Sequence, residues 1–289
     1  MASRPLLLRP GTPVLSRSPG VLQIGLLGPR VRLPDVPEVR RLLEDLAGSS
    51  GRAAAAGLPA EAARALDRLV GAGLALPAPD AAAPSETGTG DLAALMAQAG
   101  ADAVRRRAAR ADLLVAVDAP PGMESQLGPL LSAAGLTVAG PAQDAAVRLV
   151  VAGGPLARER LDPLVRASVP HLLVSGDAAA LRIGPFVAPG RTACLRCVDA
   201  HESLHDERLP LLLAQAARQS AEQPPPRDPV LDQFALAWAV RDLARFVEGD
   251  EPSTWSTTVD LGPTAAPLLT RWGRHPYCGC AWDGFLDLP

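Results

Sequence analysis

The chain has 289 residues, 48% of them hydrophobic, with 28 basic and 31 acidic side chains and a net charge of −3. That size and apolar content can bury a sizeable core and divide naturally into two domains, while the weakly acidic balance gives no general attraction for a phosphate backbone, so nucleic-acid binding is not expected. Every basic residue is Arg, and Lys and Asn are absent, which removes any mechanism that needs a lysine amine as nucleophile or phosphate grip.

The opening "MASRPLLLRPG" holds a run of only three leucines before Arg9 and Pro10, short of the roughly 7–15 apolar residues of a signal-peptide core. No stretch approaches the roughly 20 apolar residues of a membrane span, so no membrane partner and a cytoplasmic location are expected. Thiols stay reduced there.

"GVLQIGLLGPRVRLPD" alternates Val21, Gln23 and Gly25 against Leu22, Ile24 and Leu26, turns at Gly28-Pro29 and resumes at Val31 and Leu33, a hairpin pattern. Asp35 is placed to cap a helix carrying Val36, Val39, Leu42, Leu43 and Leu46 at helical spacing and ending near Gly48. "PAEAARALDRLVGAGLAL" predicts a second helix with Leu66, Leu69 and Val70 on one face, a break at Gly71 and Gly73, and a short strand. Hairpin, helix, helix, strand is the order of a small winged-helix unit, placed at residues 1–76. "PAPDAAAPSETGTGD", residues 77–91, lacks any period and is expected to be a linker.

From 92 to 289 the pattern is α/β. Apolar runs at 112–118, 136–140, 145–154 and 170–176 alternate with helical stretches at 124–135 and 157–168, which predicts a parallel sheet covered on both faces. "LRIGPFVAPG" reads as a turn-interrupted strand pair, "VLDQFALAWAVRDLARFV" as a long helix, and "STWSTTVDLG" and "PLLTRWG" as late strands. Arg105, Arg106, Arg107 and Arg110 make a basic patch on the helix before the α/β region. A solvated face is its default interpretation, contact with an acidic partner the minority one.

Four cysteines stand in two tight pairs, Cys194-x-x-Cys197 and Cys278-x-Cys280. One ion held by all four would tie two remote parts of the chain together. Four thiolates suit tetrahedral zinc and leave no open position, so the expected role is structural. Redox chemistry would want the pair at a strand-to-helix junction in a thioredoxin-like order, and disulfides run against a reducing compartment. Within the metal interpretation, His201 or His275 could replace one sulfur. His171 and His205 are expected to face solvent or satisfy local hydrogen bonds.

"GPFVAPGRTACLRCVDAH" together with "WGRHPYCGCAW" resembles the ThiF-like adenylyltransferase superfamily, which includes the ubiquitin-activating enzymes, and most closely its members associated with azole-forming cyclodehydratases. The resemblance covers residues 110–283 and implies a Rossmann-type α/β domain with structural zinc on the four cysteines. It also implies an N-terminal winged-helix peptide-recognition element, which binds a leader peptide as an added strand beside the hairpin and against a helix. On that basis Val21, Leu22, Gln23 and Ile24 are the candidate edge strand and Val39, Leu42 and Leu43 the candidate helix contacts, although the same side chains could simply form the small domain's core. Pairing of such domains makes a homodimer a further expectation.

The parts for nucleotide chemistry are missing from the expected places. An adenylylating site needs a glycine-rich turn whose bare amides receive phosphate, but "VDAPPGMES" puts Pro120 and Pro121, which lack amide donors, where they are needed and leaves only Gly122. An acidic ribose ligand after the second strand is absent unless Asp144 serves, and the Asn and Lys ligands of active members do not occur. Gly153-Gly154 reads as a plain strand-to-helix turn. The expectation is therefore a degenerate ThiF-like pseudoenzyme: no catalytic residues, no ATP, and a zinc-stabilised scaffold that presents a peptide to a separate modifying enzyme such as a cyclodehydratase. The alternatives are a working ATP-dependent adenylyltransferase and a winged-helix DNA-binding regulator. The latter would need a basic recognition helix, whereas Arg64 and Arg68 are offset by Glu61 and Asp67.

Overall fold

The first leucine run is a strand, Leu6–Leu8 (β1), which pairs antiparallel with a strand at Ala75–Pro77 in the same unit. The computed structural model describes residues 5–48, 57–79, 89–140, 143–276 and 278–280. Contacts divide the chain into two compact units, Met1–Ala108 and Ala109–Pro289.

In the first unit a meander of Val14–Ser18 (β2), Val21–Ile24 (β3) and Val31–Pro34 (β4) is followed by the helices Pro37–Ala47 (α1) and Ala60–Gly71 (α2) and by Ala75–Pro77 (β5), the partner of β1. Leu22, Ile24 and Leu33 from one face of the meander meet Val39, Leu42, Leu43 and Leu46 of α1 and Leu66 and Leu69 of α2 in one buried cluster. The helices form because their apolar residues recur every three or four positions, and that stripe is what the sheet face covers. Asp35 does not cap α1. Val36 holds the cap position, and the Asp35 carboxylate instead pairs with Arg40 through both oxygens, at 2.5 and 2.7 Å. Residues 80–88 of the expected linker lie outside the described residues, and the helix Thr89–Ala99 (α3) follows them, leading to Ala103–Asp112 (α4).

The second unit is built on a seven-stranded sheet. Its strands are Leu114–Asp118 (β6), Thr137–Val138 (β7), Val147–Val151 (β8), His171–Gly176 (β9), Leu181–Val187 (β10), Thr257–Leu261 (β11) and Leu268–Arg271 (β12), in the order β12-β11-β10-β9-β8-β6-β7. The helices are Pro121–Ala133 (α5), Asp162–Arg166 (α6), Leu195–Glu202 (α7), Leu209–Glu222 (α8) and Pro229–Val247 (α9).

Only half of the sheet is parallel. β7, β6, β8 and β9 run together, but β10, β11 and β12 are antiparallel additions. "LRIGPFVAPG" is likewise a single strand, with a bulge between Ile183 and Phe186, and not a pair. The glycine at the bulge is obligatory. Gly184 has φ +89°, and a Cβ there would lie 2.5 Å from the Thr257 carbonyl oxygen.

Alternation along the strands sends Leu149, Leu172 and Val174 to a core shared with Leu127 and Leu131 of α5 and Leu236, Val240 and Leu243 of α9. Val150 and Leu173 go to the opposite face, against Leu156, Leu161, Leu195 and Val198. Both faces are covered, as near-continuous apolar strands require. The strand directions then separate two regions. The carboxyl ends of β6 and β8 open at one end of the sheet, while the start of β9 and the end of β10 lie at the other.

Candidate metal centre

At the second of those ends, the turn after β10 delivers the first thiol pair. Thr192, 1% exposed, accepts from Ala188 N through Oγ1 at 2.8 Å, and Ala193 N donates to Ser256 Oγ at 3.0 Å. Cys194 sits at the cap of α7, and Cys197 N donates to Cys194 O at 2.9 Å, a tight first turn that puts both sulfurs on one side.

The second pair arrives from β12 along a tethered path. Trp272 N donates to Ser256 O at 2.7 Å, Trp272 Nε1 to Thr258 Oγ1 at 2.9 Å, and His201 Nε2 to Gly273 O at 3.1 Å. Cys278 N then donates to His275 O at 3.1 Å, and Gly279, at φ +78°, gives the bend that turns the two sulfurs of Cys-x-Cys inward.

The four ligand atoms lie within 4.8 Å of one another. Cys194 Sγ is 3.7 Å from Cys197 Sγ and 3.3 Å from Cys278 Sγ, and Cys197 Sγ is 3.4 Å from Cys280 Sγ. These separations exceed the ~2.05 Å of a disulfide, and all four cysteines are free. They are close to the ~3.8 Å edge of a tetrahedron with metal–sulfur bonds of about 2.3 Å.

Electrostatics point the same way. Donation to Cys197, and then to the other two sulfurs, together with burial, pushes the Cys194 thiol up, while acceptance from Cys194 pulls Cys197 down. Crowded sulfurs cannot all ionise unless a cation replaces the shared protons, and a divalent ion does so. The donor set and its geometry therefore fit a structural four-thiolate ion.

The histidines stand outside that set. His201 is committed to the Gly273 carbonyl, with its ring edge-on to that of His275 at a centroid distance of 5.0 Å, and the cluster is made of sulfur alone among the described residues. His205 is exposed. His171 does not face solvent: it is 1% exposed, with Nδ1 donating to Val169 O at 2.9 Å, and burial holds its pKa below the usual imidazole value against the opposing pull of that bond.

The opposite end of the sheet carries a crevice of about 360 Å³ between the carboxyl ends of β6 and β8, where a sheet of this winding changes direction and a ligand would be expected. Its walls are unsuited to phosphate. Pro120 caps α5, with Pro121 next, and Asp118 and Arg160 pair with each other at 3.2 Å. Gly153 lies beside Pro120 and Pro224, and a Cβ on Gly154 would collide with the Ser220 side chain of α8. Arg227 fastens the segment after α8 over the strands, with Nη1 donating to Ala152 O and Nε to Asp232, and both side chains of the pair are buried. The glycine pair is thus a packing contact for α8. Little in the sequence signals this cover, because α8 buries only Ala217 and leaves Leu211 and Leu212 exposed.

The peptide candidates fall mainly into the core. Leu22, Ile24, Val39, Leu42 and Leu43 are 0–4% exposed, and Gln23 is buried with its amide donating to Gly25 O and accepting from Arg17. Val21 is half-buried at the start of β3. β3 is the middle strand of the meander, so its backbone is paired on both sides and it is not an edge. The basic patch is largely spent: Arg105 and Arg106 pair with Asp102, and Arg110 with Glu248.

No protein-family model matches the sequence, and a search of curated proteins returns no relative. Solved structures match by shape. The heterocyclase TruD superposes with a TM-score of 0.72 at 20% identity, over 96% of this chain and 43% of that one. A heterocyclase in complex with substrate and cofactor gives 0.71 at 17%, over 96% and 40%. MccB of E. coli, solved with succinimide, gives 0.67 at 14%, over 96% and 99%. The chain thus spans about two fifths of the heterocyclase structures and nearly the whole of MccB. The likeness is one of fold: this chain shares its architecture with the heterocyclase and MccB structures.

Proposed function

We propose that the chain is a non-catalytic, zinc-stabilised scaffold that captures a peptide in its N-terminal unit and presents it to a separate modifying enzyme such as a cyclodehydratase, within the cytoplasm. The observation that carries this proposal is that β4 ends its sheet, with no strand paired to its outer side among the described residues. Asp35 N donates to Gly20 O at 2.9 Å, and the register pairs Leu22 with Leu33 and Gln23 with Arg32. Bonded pairs therefore alternate at 20–35, 22–33 and 24–31, which turns the backbone of Arg32 and Pro34 away from β3. Arg32 offers both a donor and an acceptor to an added strand, Pro34 only an acceptor, and α2 packs beside the strand. The added-strand site shifts by one strand from Val21–Ile24 to Val31–Pro34, because β3 is already enclosed.

The proline-lined crevice, with Pro120 and Pro121 where amide donors would be needed, supports the absence of catalysis. The shared fold of a heterocyclase solved with substrate and cofactor, and of MccB solved with MccA, supports a role beside peptide-modifying chemistry. A short peptide library displayed against the whole zinc-loaded protein tests capture: bound sequences should lose affinity when a proline is placed at the residue opposite Arg32. Failure to enrich any peptide, or enrichment indifferent to that proline, would sink the proposal.

A working ATP-dependent adenylyltransferase is the second interpretation, favoured by the crevice lying at the right end of the sheet. ATP–pyrophosphate exchange above background would establish it.

A further inference from the structure

The side chains of β4 add a charge to the backbone groups at its edge. Leu22, Ile24 and Leu33 turn into the buried cluster of the first unit, so the register partners Gln23 and Arg32 share the opposite face of the meander. Gln23 stands between two arginines and serves one of them. Its Oε1 accepts from Arg17 Nη1 at 2.5 Å, and its Nε2 donates to Gly25 O at 3.0 Å. Both ends of the amide are thus committed, and Arg32, exposed beside it, has no hydrogen-bond or ion-pair partner among the described residues.

The charge along this stretch of chain is of one sign. From Pro5 to Pro34 the sequence holds Arg9, Arg17, Arg30 and Arg32 and no acid. Arg9 is turned to the carbonyls of Ala97 and Gln98, and Arg17 and Arg30 have no acidic partner among the described residues. Asp35, the first acid after them, is held by Arg40 through both oxygens. The helix that packs beside β4 adds nothing of either sign: on α2, Glu61 and Asp67 cancel Arg64 and Arg68.

Directly opposed residues of paired strands share a face. On a strand added to β4, the residue opposite Arg32 therefore stands beside its guanidinium, and the residues before and after it turn to the face where β4 meets α2. Val31 is only half-buried on that face, packed against the edge of the core cluster.

We propose that the peptide taken at β4 is acidic at one register position: Asp or Glu opposite Arg32, with an apolar residue on either side. The Arg32 guanidinium donates to that carboxylate, the acceptor that the committed Gln23 amide does not supply, while the apolar neighbours cover Val31. This rests on strand addition at β4 and names the ligand that the edge selects.

Short random peptides displayed on phage and panned against the full zinc-loaded protein, in parallel with its Arg32→Lys and Arg32→Glu variants, test the assignment. The parent should enrich Asp or Glu between apolar residues at a common position of the aligned binders. Arg32→Lys should keep that preference, and Arg32→Glu should select Lys or Arg at the same position. In the strongest parent peptide, exchanging the acid for its amide should weaken binding about fivefold at low salt, a difference that shrinks in about 0.5 M salt, and exchanging it for Lys should weaken binding about tenfold or more. Arg32 is exposed and unpaired, so both variants should melt as the parent does, and a purely structural role for the side chain would not reverse the selected charge. Binders without an acid at the common position, or an Arg32→Glu variant that holds the parent's acidic peptides with equal affinity, would overturn the assignment and leave strand capture standing. Failure to enrich any peptide would overturn both.

Discussion

Asp242 is fully buried on α9, yet its carboxylate accepts from Ser253 N and Oγ and from Thr254 N and Oγ1, at 2.6–3.0 Å. Nothing in "AWAVRDLARF" distinguishes this acid from the exposed charges of an ordinary helix, because its partners come from a loop 11–12 residues away. Asp242→Ala would leave those donors buried without acceptors and should cost about 3–5 kcal/mol, read as a lower urea midpoint at unchanged slope. His171 makes the local hydrogen bond that was one of its two expected roles, but its burial was illegible for the same reason, being decided by what covers the head of β9. The cysteines are the opposite case. Their spacing is covalent, so the sequence itself sets each pair of sulfurs side by side, and only the meeting of the two pairs is left to the fold.

Periodicity revealed the elements that bury a stripe and missed those that do not. α1, α2 and α9 carry continuous buried faces and were readable, whereas α8 buries Ala217 alone and β2 is exposed throughout. Missing β2 is what made β3 look like an edge. The antiparallel half of the sheet was hidden because an apolar run does not encode direction, although the link from Gly176 to Leu181 is too short for the crossover a parallel pair needs, and that length was visible. β4 allows a sharp test at this scale. Arg32 turns its N–H outward, so Arg32→Pro should keep the far-ultraviolet spectrum and melting of the parent while losing the peptide, because proline is tolerated on an edge strand. Leu33→Pro removes a bond to β3 and a core side chain that is 2% exposed, and should unfold the unit. If Arg32→Pro retained peptide binding at full affinity, strand addition at β4 would be excluded.

Across the whole molecule, each unit has a hydrophobic cluster of its own, and the thiol centre belongs to Ala109–Pro289 alone. Metal should therefore stabilise one unit and not the other. The sequence supplies the reporter: the four tryptophans, Trp238, Trp255, Trp272 and Trp282, all lie in the second unit, so tryptophan emission follows that unit only, while far-ultraviolet circular dichroism follows both. Four thiolates from two remote segments bind an ion only when the fold brings them together, so binding free energy, on the order of 10 kcal/mol in small zinc peptides, is coupled to folding. Chelation should lower the melting temperature seen by tryptophan and leave a dichroism transition of the first unit in place. Cys194→Ser should reproduce the shift without chelator and abolish the response to it. A chelator-insensitive tryptophan transition in protein shown to have carried metal would mean that the tethers through Trp272, Thr258, Ser256 and His201 hold the chain's two thiol segments together by themselves, and that the ion contributes nothing to the fold.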